Sequence, residues 1–319
     1  MLQCRATPER TTVGLFALSR RAPTVEPVSQ HSPGTFPVDQ TVSTAPPLSR
    51  AVLERWLVDA GLAEPVEADV QSSVGSTNQE LLVRCRLRRP AAVQLLAADE
   101  QTAGRGRQRR PWIARPRTAL LFSLAAPLPE LLPTLPAIAP ACGAALADHL
   151  IERGVEARLK WPNDLLLDGR KLGGILCELA VDADGQSTLV IGVGINVLLT
   201  ADDRARIGQP AAALAEVLPA RMLAGEREAW IAALATTVLA LVRRFAVEGF
   251  APWHQRCNAL LQARGAMVDI IDDGRTTATG RILEIDASGR LVLETASGPR
   301  NIQLGDVSVR HPPESGSGR

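Results

Sequence analysis

The sequence has no tyrosine, and of its 35 basic residues only two are lysine, Lys160 and Lys171; the other 33 are arginine. Asparagine occurs five times. A strongly GC-biased coding sequence produces this composition, with arginine standing wherever a cation will do. The scarce residues are clustered. Both lysines fall in the run KWPNDLLLDGRKLGG, residues 160–174, and three of the five asparagines lie in STN, WPND and GIN. A lysine ammonium is a compact point charge whereas arginine is a planar fork, so the two do not interchange in a tight site. Residues kept against the bias mark candidate functional positions.

Other absences exclude whole classes. The cysteines Cys4, Cys85, Cys142, Cys177 and Cys257 form no CxxC pair and are odd in number, which argues against a disulfide framework and predicts free thiols in a reducing compartment. A net charge of +1 leaves no basic excess for nucleic acid. No apolar stretch reaches the roughly 18 residues of a membrane span, so the reading is a soluble, cytoplasmic protein with no membrane partner. No hydrophobic core of a secretory signal is present, although Arg5, Arg10, Arg20 and Arg21 faintly suggest a transit peptide. The lack of GxxxxGK[ST] excludes a P-loop kinase, and Gly192-Val193-Gly194-Ile195-Asn196 is not a dinucleotide fingerprint.

Residues 1–47 are rich in Pro, Ser, Thr and Val without helical or strand periodicity, which predicts a disordered extension with no room for a helix-turn-helix. From Leu48 the pattern becomes globular. Val52, Leu53, Trp56 and Leu57 sit at helical spacing, with Ser49 as the cap and Gly61 near the end. Ser76 or Thr77 caps a short helix over 79–84. Strands are expected over 93–98, 119–125, 157–161, 165–167, 173–181 and 188–197, and helices over 136–153, 211–218 and 226–248. That is a mixed β-sheet with helices against it, an α+β arrangement. Short strands at 266–271, 276–286, 290–294 and 300–304 are separated by the turn signals Asp273-Gly274, Ser288-Gly289 and Ser297-Gly298. They predict a small antiparallel barrel. The divisions are thus 1–47, a large domain over 48–263, a small one over 264–311, and a loose tail over 312–319.

Four stretches carry chemistry. In Gly104-Arg105-Gly106-Arg107-Gln108-Arg109-Arg110-Pro111-Trp112, glycines let backbone amides approach an anion and the arginines supply charge, which suits a phosphate cradle. Mutual repulsion should keep this loop loose until a polyanion binds, and the indole could stack on a purine. Lys160 and Lys171 fit two adjacent strands joined by a turn at Asp168-Gly169, with both cations in one pocket to neutralise phosphoryl charge. Gly173-Gly174 clears space for a ligand or strand. Ser76-Thr77-Asn78 and the GxGxN run are weak alone, readable as a helix cap and a sheet corner.

Taken together, STNQ, EQTAGRGR…W, KWPNDLLLDGRKLGGILCE and GVGIN, in that order over residues 70–310, resemble the biotin–protein ligase family. The resemblance implies a catalytic domain related to class II tRNA synthetases and lipoate ligases, plus an SH3-like C-terminal barrel. It also implies activation of biotin by ATP and Mg²⁺ to biotinyl-5'-AMP, then transfer to a lysine of the biotin carboxyl carrier protein of acetyl-CoA carboxylase or a related carboxylase. By the same resemblance Ser76, Thr77, Asn78, Gln101, Arg105, Gly106, Arg107, Lys171 and Gly174 would bind biotin. Arg105, Arg107, Trp112, Lys160, Asn163 and Asn196 would bind ATP. Arg107, Lys160 and Lys171 would act in catalysis, and Mg²⁺ would travel with the ATP phosphates. Asp164 is a weak candidate for a base, or else a ribose, metal or structural contact. The family loop reads GRGRxGRxW, so Arg109 stands where a third glycine is usual. No DNA-binding domain is expected, which implies a ligase without repressor function, and a homodimer is left open. A lipoate ligase and a catalytically inactive biotin sensor remain the competing readings.

Overall fold

The apolar run in β3 (Ala119–Pro127) sets the centre of the fold, because eight of its nine positions are buried. A strand covered on both faces reads as a continuous apolar stretch. This computed structural model describes residues 45–62, 65–128, 133–219, 223, 226–272, 274–303 and 307–310. The expected extension up to residue 44 and the tail after 310 lie outside them.

β1 (Val66–Gln71), β2 (Val93–Ala98), β3, β4 (Ala157–Lys160), β5 (Asp164–Leu167), β6 (Arg170–Val181) and β7 (Ser187–Asn196) form a seven-stranded sheet in the order β1-β2-β3-β7-β6-β5-β4. Only β1 and β2 pair in parallel; every other pair is antiparallel. The sheet is mixed, as expected. The turn joining β5 to β6 has Asp168 at φ 50° and Gly169 at φ 74°, the double positive φ that suits a tight hairpin.

α1 (Arg50–Asp59), α2 (Thr77–Leu87), α3 (Ile138–Ile151) and α5 (Arg227–Glu248) pack on this sheet or on one another, and α4 (Ala201–Ile207) and α6 (His254–Leu260) are short. α1 buries Leu53 and Leu57, each contributing about 2 kcal/mol by removal from water. Ser49 stands at its N-cap, yet its side chain caps nothing. Its backbone N–H instead donates to Glu228 Oε1 at 2.8 Å, fixing the start of α1 to α5. Residues 45–47 are held down: Ala45 is buried and its carbonyl accepts from Arg117, while Leu48 N–H donates to Asp99.

The expectation of no membrane-length apolar stretch is corrected by α5, which is long and apolar enough by length and composition. It is instead a core helix, packed on α1, α3 and β3, with Trp230, Ile231, Leu234, Val238 and Phe245 buried. Its threonines and arginines, read one at a time, had interrupted the run. The helix expected over 211–218 is also corrected: α4 lies earlier, and only a short 3-10 turn, Leu214–Glu216, falls in that stretch. Gly208 at φ 67° ends α4. β1 and α6 carried no strong sequence signal and were not expected.

β8 (Met267–Asp272), β9 (Arg275–Ile285), β10 (Leu291–Thr295), β11 (Gly298–Ile302) and β12 (Val307–Arg310) form a five-stranded antiparallel sheet in the order β11-β10-β9-β8-β12. This is the expected small C-terminal β unit, with one more strand than was read. It meets the large sheet through specific polar contacts. Asn258 of α6 exchanges two hydrogen bonds with the backbone of Ile285, both 2.8 Å. Trp161 Nε1 donates to the Gly289 carbonyl at 3.0 Å.

Candidate functional site

One cavity of about 640 Å³ lies over the C-terminal end of β7 and the adjoining parts of β6. That is a volume suited to a small molecule. It collects every site residue named from the sequence: Ser76, Thr77, Asn78, Gln101, Arg105, Gly106, Arg107, Trp112, Lys160, Asn163, Lys171, Gly174 and Asn196.

One end is polar and uncharged. Ser76 caps α2 by accepting from Gln79 N–H at 3.5 Å. Thr77 follows it, its N–H donating to Gln101 Oε1 at 2.8 Å and its hydroxyl 2.8 Å from that of Ser123. Asn78 donates to Glu178 Oε2 at 2.6 Å. Gly192 makes room here, since a β-carbon on it would fall 2.7 Å from Asn78 Oδ1 and 3.2 Å from Ser123 Oγ. Ser123 was missed in the sequence, although a lone hydroxyl in an otherwise apolar strand is a visible signal.

The Gly/Arg loop carries backbone hydrogen bonds within itself. Gly106 N–H donates to the Arg110 carbonyl at 2.8 Å and Trp112 N–H to the Gly104 carbonyl at 2.9 Å. Gly104 must be small, because a β-carbon would meet the Trp112 carbonyl at 2.9 Å and Gln101 Nε2 at 3.1 Å. Polar partners share the charge of its arginines: Arg105 donates to Gln79, Arg110 to Gln108, and Arg107 Nη1 to Asn163 Oδ1 at 3.3 Å. Arg109 adopts φ 55°, the left-handed region in which glycine is most at home.

Trp112 lies on the sheet. A β-carbon on Gly194 would come within 2.8 Å of its ring, and one on Gly174 within 3.5 Å of Cζ3. Glycine at both positions gives the indole its seat. Its Nε1 is buried without a hydrogen-bond partner among the described residues.

The two lysines are corrected in placement. They were expected on adjacent strands, but Lys160 ends β4 and Lys171 begins β6, with β5 between them. Two turns, not one, separate them. Both still line the cavity. Lys171 Nζ is 2.7 Å from Asp164 Oδ1 and 5.8 Å from the Trp112 ring centre, so Asp164 is engaged as the partner of this cation. Asn196 commits its amide nitrogen to structure, donating to the Ala212 carbonyl at 3.0 Å and the Lys171 carbonyl at 3.3 Å. Asn163 donates to the Ile175 carbonyl at 2.6 Å.

A further wall was not anticipated. Arg206, Ile207, Gln209 and Ala211 line the cavity from α4 and the segment after it. The legible signal was Thr200-x-x-Asp203, a capping box in which the Asp203 carboxylate accepts from the Thr200 backbone at 2.9 Å. Burial works to raise the Asp203 carboxyl, yet bonds from Thr200 and the Arg115 guanidinium hold it below the usual carboxylate range. Cys85, Cys142 and Cys257 are buried free thiols and Cys177 is half-buried, so none of the four pairs in a disulfide.

Residues 70–196 match the Biotin/lipoate A/B protein ligase family, and residues 265–310 match the Biotin protein ligase C terminal domain. Among curated relatives, the Biotin--[acetyl-CoA-carboxylase] ligase of Mycobacterium tuberculosis is 36% identical over 157 residues, covering 48% of this chain and 57% of that protein. The Bifunctional ligase/repressor BirA of Escherichia coli is 31% identical over 241 residues, covering 74% of this chain and 72% of the relative. The chain thus spans less than two thirds of the Mycobacterium protein and rather more of the Escherichia one. Among solved structures, the biotin protein ligase from Aquifex aeolicus in complex with biotin and ATP superposes with a TM-score of 0.60 at 23% identity, covering 77% of this chain and 99% of that one. That likeness speaks for the fold alone. The identities, the two matched segments in their order along the chain, and a fold built as the motifs required agree on one conclusion: this chain belongs to the biotin protein ligase family.

Proposed function

We propose that this protein is an ATP-dependent biotin ligase. The biotin carboxylate oxygen attacks the α-phosphorus of ATP and pyrophosphate leaves with the bonding pair, giving biotinyl-5'-AMP. A lysine amine of a biotin carboxyl carrier protein, of acetyl-CoA carboxylase or a related carboxylase, then attacks the acyl carbon and AMP departs. The reading is carried by the gathering of all thirteen expected residues around one cavity.

The roles follow from chemistry and position. The uncharged end at Ser76, Thr77, Asn78 and Gln101 suits the biotin ring, which needs hydrogen bonds and no charge. Arg105, Arg107 and Lys160 offset the repulsion between the carboxylate and the phosphates, which positioning alone cannot remove. Lys171 would meet the negative charge that grows on the acyl oxygen during transfer. Trp112 offers a flat face to the adenine. Among the described residues no group of three or more His, Cys, Asp or Glu side chains is gathered to hold a metal, so Mg²⁺ would come with the nucleotide, where it neutralises phosphate charge.

The cavity adjoins an open groove that shares Arg105, Arg107 and Arg110 with it and adds Arg86 and Arg109. A carrier lysine can approach by that side. Modification without transcriptional repression is the narrower part of the proposal. It is checked by the absence of any biotin-dependent retention on DNA carrying the gene's own upstream region.

The decisive experiment is pyrophosphate release from ATP and Mg²⁺ with biotin or with lipoate, no carrier being present. About one equivalent with biotin alone is expected, since the adenylate stays bound. Release with lipoate alone would move the assignment to the sister activity, and silence with both would sink the ligase reading.

A further inference from the structure

The cavity wall made by α4 and the residues after it lies outside the four stretches to which the sequence assigned chemistry. α4 spans seven residues and buries only Asp203, so its own packing does little to hold it in place. Several hydrogen bonds fix it, among them those from Asn196 to the Ala212 carbonyl and from the Lys171 N–H to the Pro210 carbonyl, and three more. Arg204 Nη2 donates to Glu216 at 2.9 Å. Beyond the helix, Lys171 and Ala212 are joined by a backbone hydrogen bond of 2.9 Å. The third tie runs elsewhere: Arg115 Nε donates to both oxygens of Asp203, at 3.0 and 2.9 Å.

Arg115 stands three residues after Trp112, at the C-terminal root of the Gly/Arg loop. Its carbonyl accepts from Thr118 Oγ1 at 2.9 Å, which anchors that root to β3. Asp203 is 5% exposed and Arg115 33%, so solvent screens the pair far less than a surface bridge. One carboxylate thus links the loop bearing Arg105, Arg107 and Trp112 to the wall bearing Arg206.

We propose that Arg115 and Asp203 are positioning residues that fix the spacing between the Gly/Arg loop and the α4 wall, delivering Arg206 to the nucleotide, and so set affinity for ATP and not for the acid substrate. The assignment of ATP to this end rests on the ligase reading, in which the acid occupies the Ser76–Gln101 end. Neither Arg115 nor Asp203 lines the cavity.

Titration calorimetry on the full chain tests this, with ATP measured with and without saturating biotin, and biotin measured alone. Arg115→Leu and Asp203→Asn are expected to weaken ATP roughly tenfold, the scale on which linking residues modulate a distant site, while biotin affinity stays put. Arg115→Lys, which restores a cation, should recover much of the loss. Arg206→Ala should weaken ATP in the wild-type background and add little to Arg115→Leu, because residues acting through one arrangement are not additive. Equal losses for ATP and biotin alongside a fall in melting temperature would reduce the pair to a helix cap and overturn the proposal, as would unchanged ATP affinity. A wild-type protein that binds ATP but neither biotin nor lipoate would sink the ligase reading, while the ATP measurements still decide the role of the pair.

Discussion

Lys171 Nζ rests 2.7 Å from Asp164 Oδ1 and 5.8 Å from the centre of the Trp112 ring. This ammonium is therefore oriented before any substrate carboxylate arrives. A carboxylate ligand has to share this cation with Asp164.

Lys171→Ala should keep the fold and lower transfer to the carrier by about 10²–10³, the usual cost of one oxyanion donor. Lys171→Arg should rescue little of it, since a planar fork cannot take the place of a point charge beside an indole. Carrier biotinylation and melting temperature, measured together, check this; normal transfer by either variant refutes the role.

Gly194→Ala places a methyl group where the indole of Trp112 lies, 2.8 Å from two ring atoms. A rigid ring so crowded must tilt or leave its seat. With base stacking on an aromatic ring worth about 1–3 kcal/mol, the KM for ATP should rise by roughly tenfold or more, with the KM for biotin much less affected. Steady-state pyrophosphate release with the carrier protein present, at varied ATP, measures it.

Arg109 occupies φ 55°, a region that costs a non-glycine residue about 1–2 kcal/mol. Arg109→Gly relieves that strain but frees the unfolded chain, which takes back about 0.4–1 kcal/mol. The melting temperature should barely change, and turnover should be retained. An inactive wild type with an active Arg109→Gly variant would instead identify a sensor disabled by this one residue.

His149, hydrogen-bonded to Thr237 and packed at the edge of Trp230, is pushed from 6.5 to about 4 by burial and by the nearby Arg153 guanidinium. Its folded-state pKa is depressed, so between about pH 6.5 and 4 the unfolded chain binds the extra proton. Stability falls as pH falls through that window, by at most about 3 kcal/mol from this group. His149→Gln should flatten the dependence of melting temperature on pH between those limits. An unchanged slope would assign the acid sensitivity elsewhere.

Much of this was legible in the sequence, for identifiable reasons. β2 was read at its true bounds because a short apolar run flanked by turn residues has few other uses. The residues that line the cavity were singled out through scarcity and order: a lysine in an arginine-rich chain, an asparagine where others are few. Their roles at the level of hydrogen bonds were not legible. Asn196 serves two carbonyls and Asp164 serves Lys171, and such partners depend on strand register that a single sequence does not reveal. The placement of Lys160 failed for the same reason, since the spacing of eleven residues fits one hairpin or two. α4 was overlooked because its seven residues are mostly charged, and its hold on the fold comes from Arg115, far away in sequence.

The bond from Trp161 to the Gly289 carbonyl has a consequence for how this chain can be recombined. Trp161 opens the turn that leads to Asn163 and Asp164, so a hairpin of the small sheet acts as a gauge for the turn that sets the cavity's cation. The demand falls on a backbone atom, and any residue able to make the same turn would meet it. Chimeras that borrow the small sheet from a relative should therefore depend on the shape of this hairpin as well as on the apolar side chains that the small sheet shares with the common core.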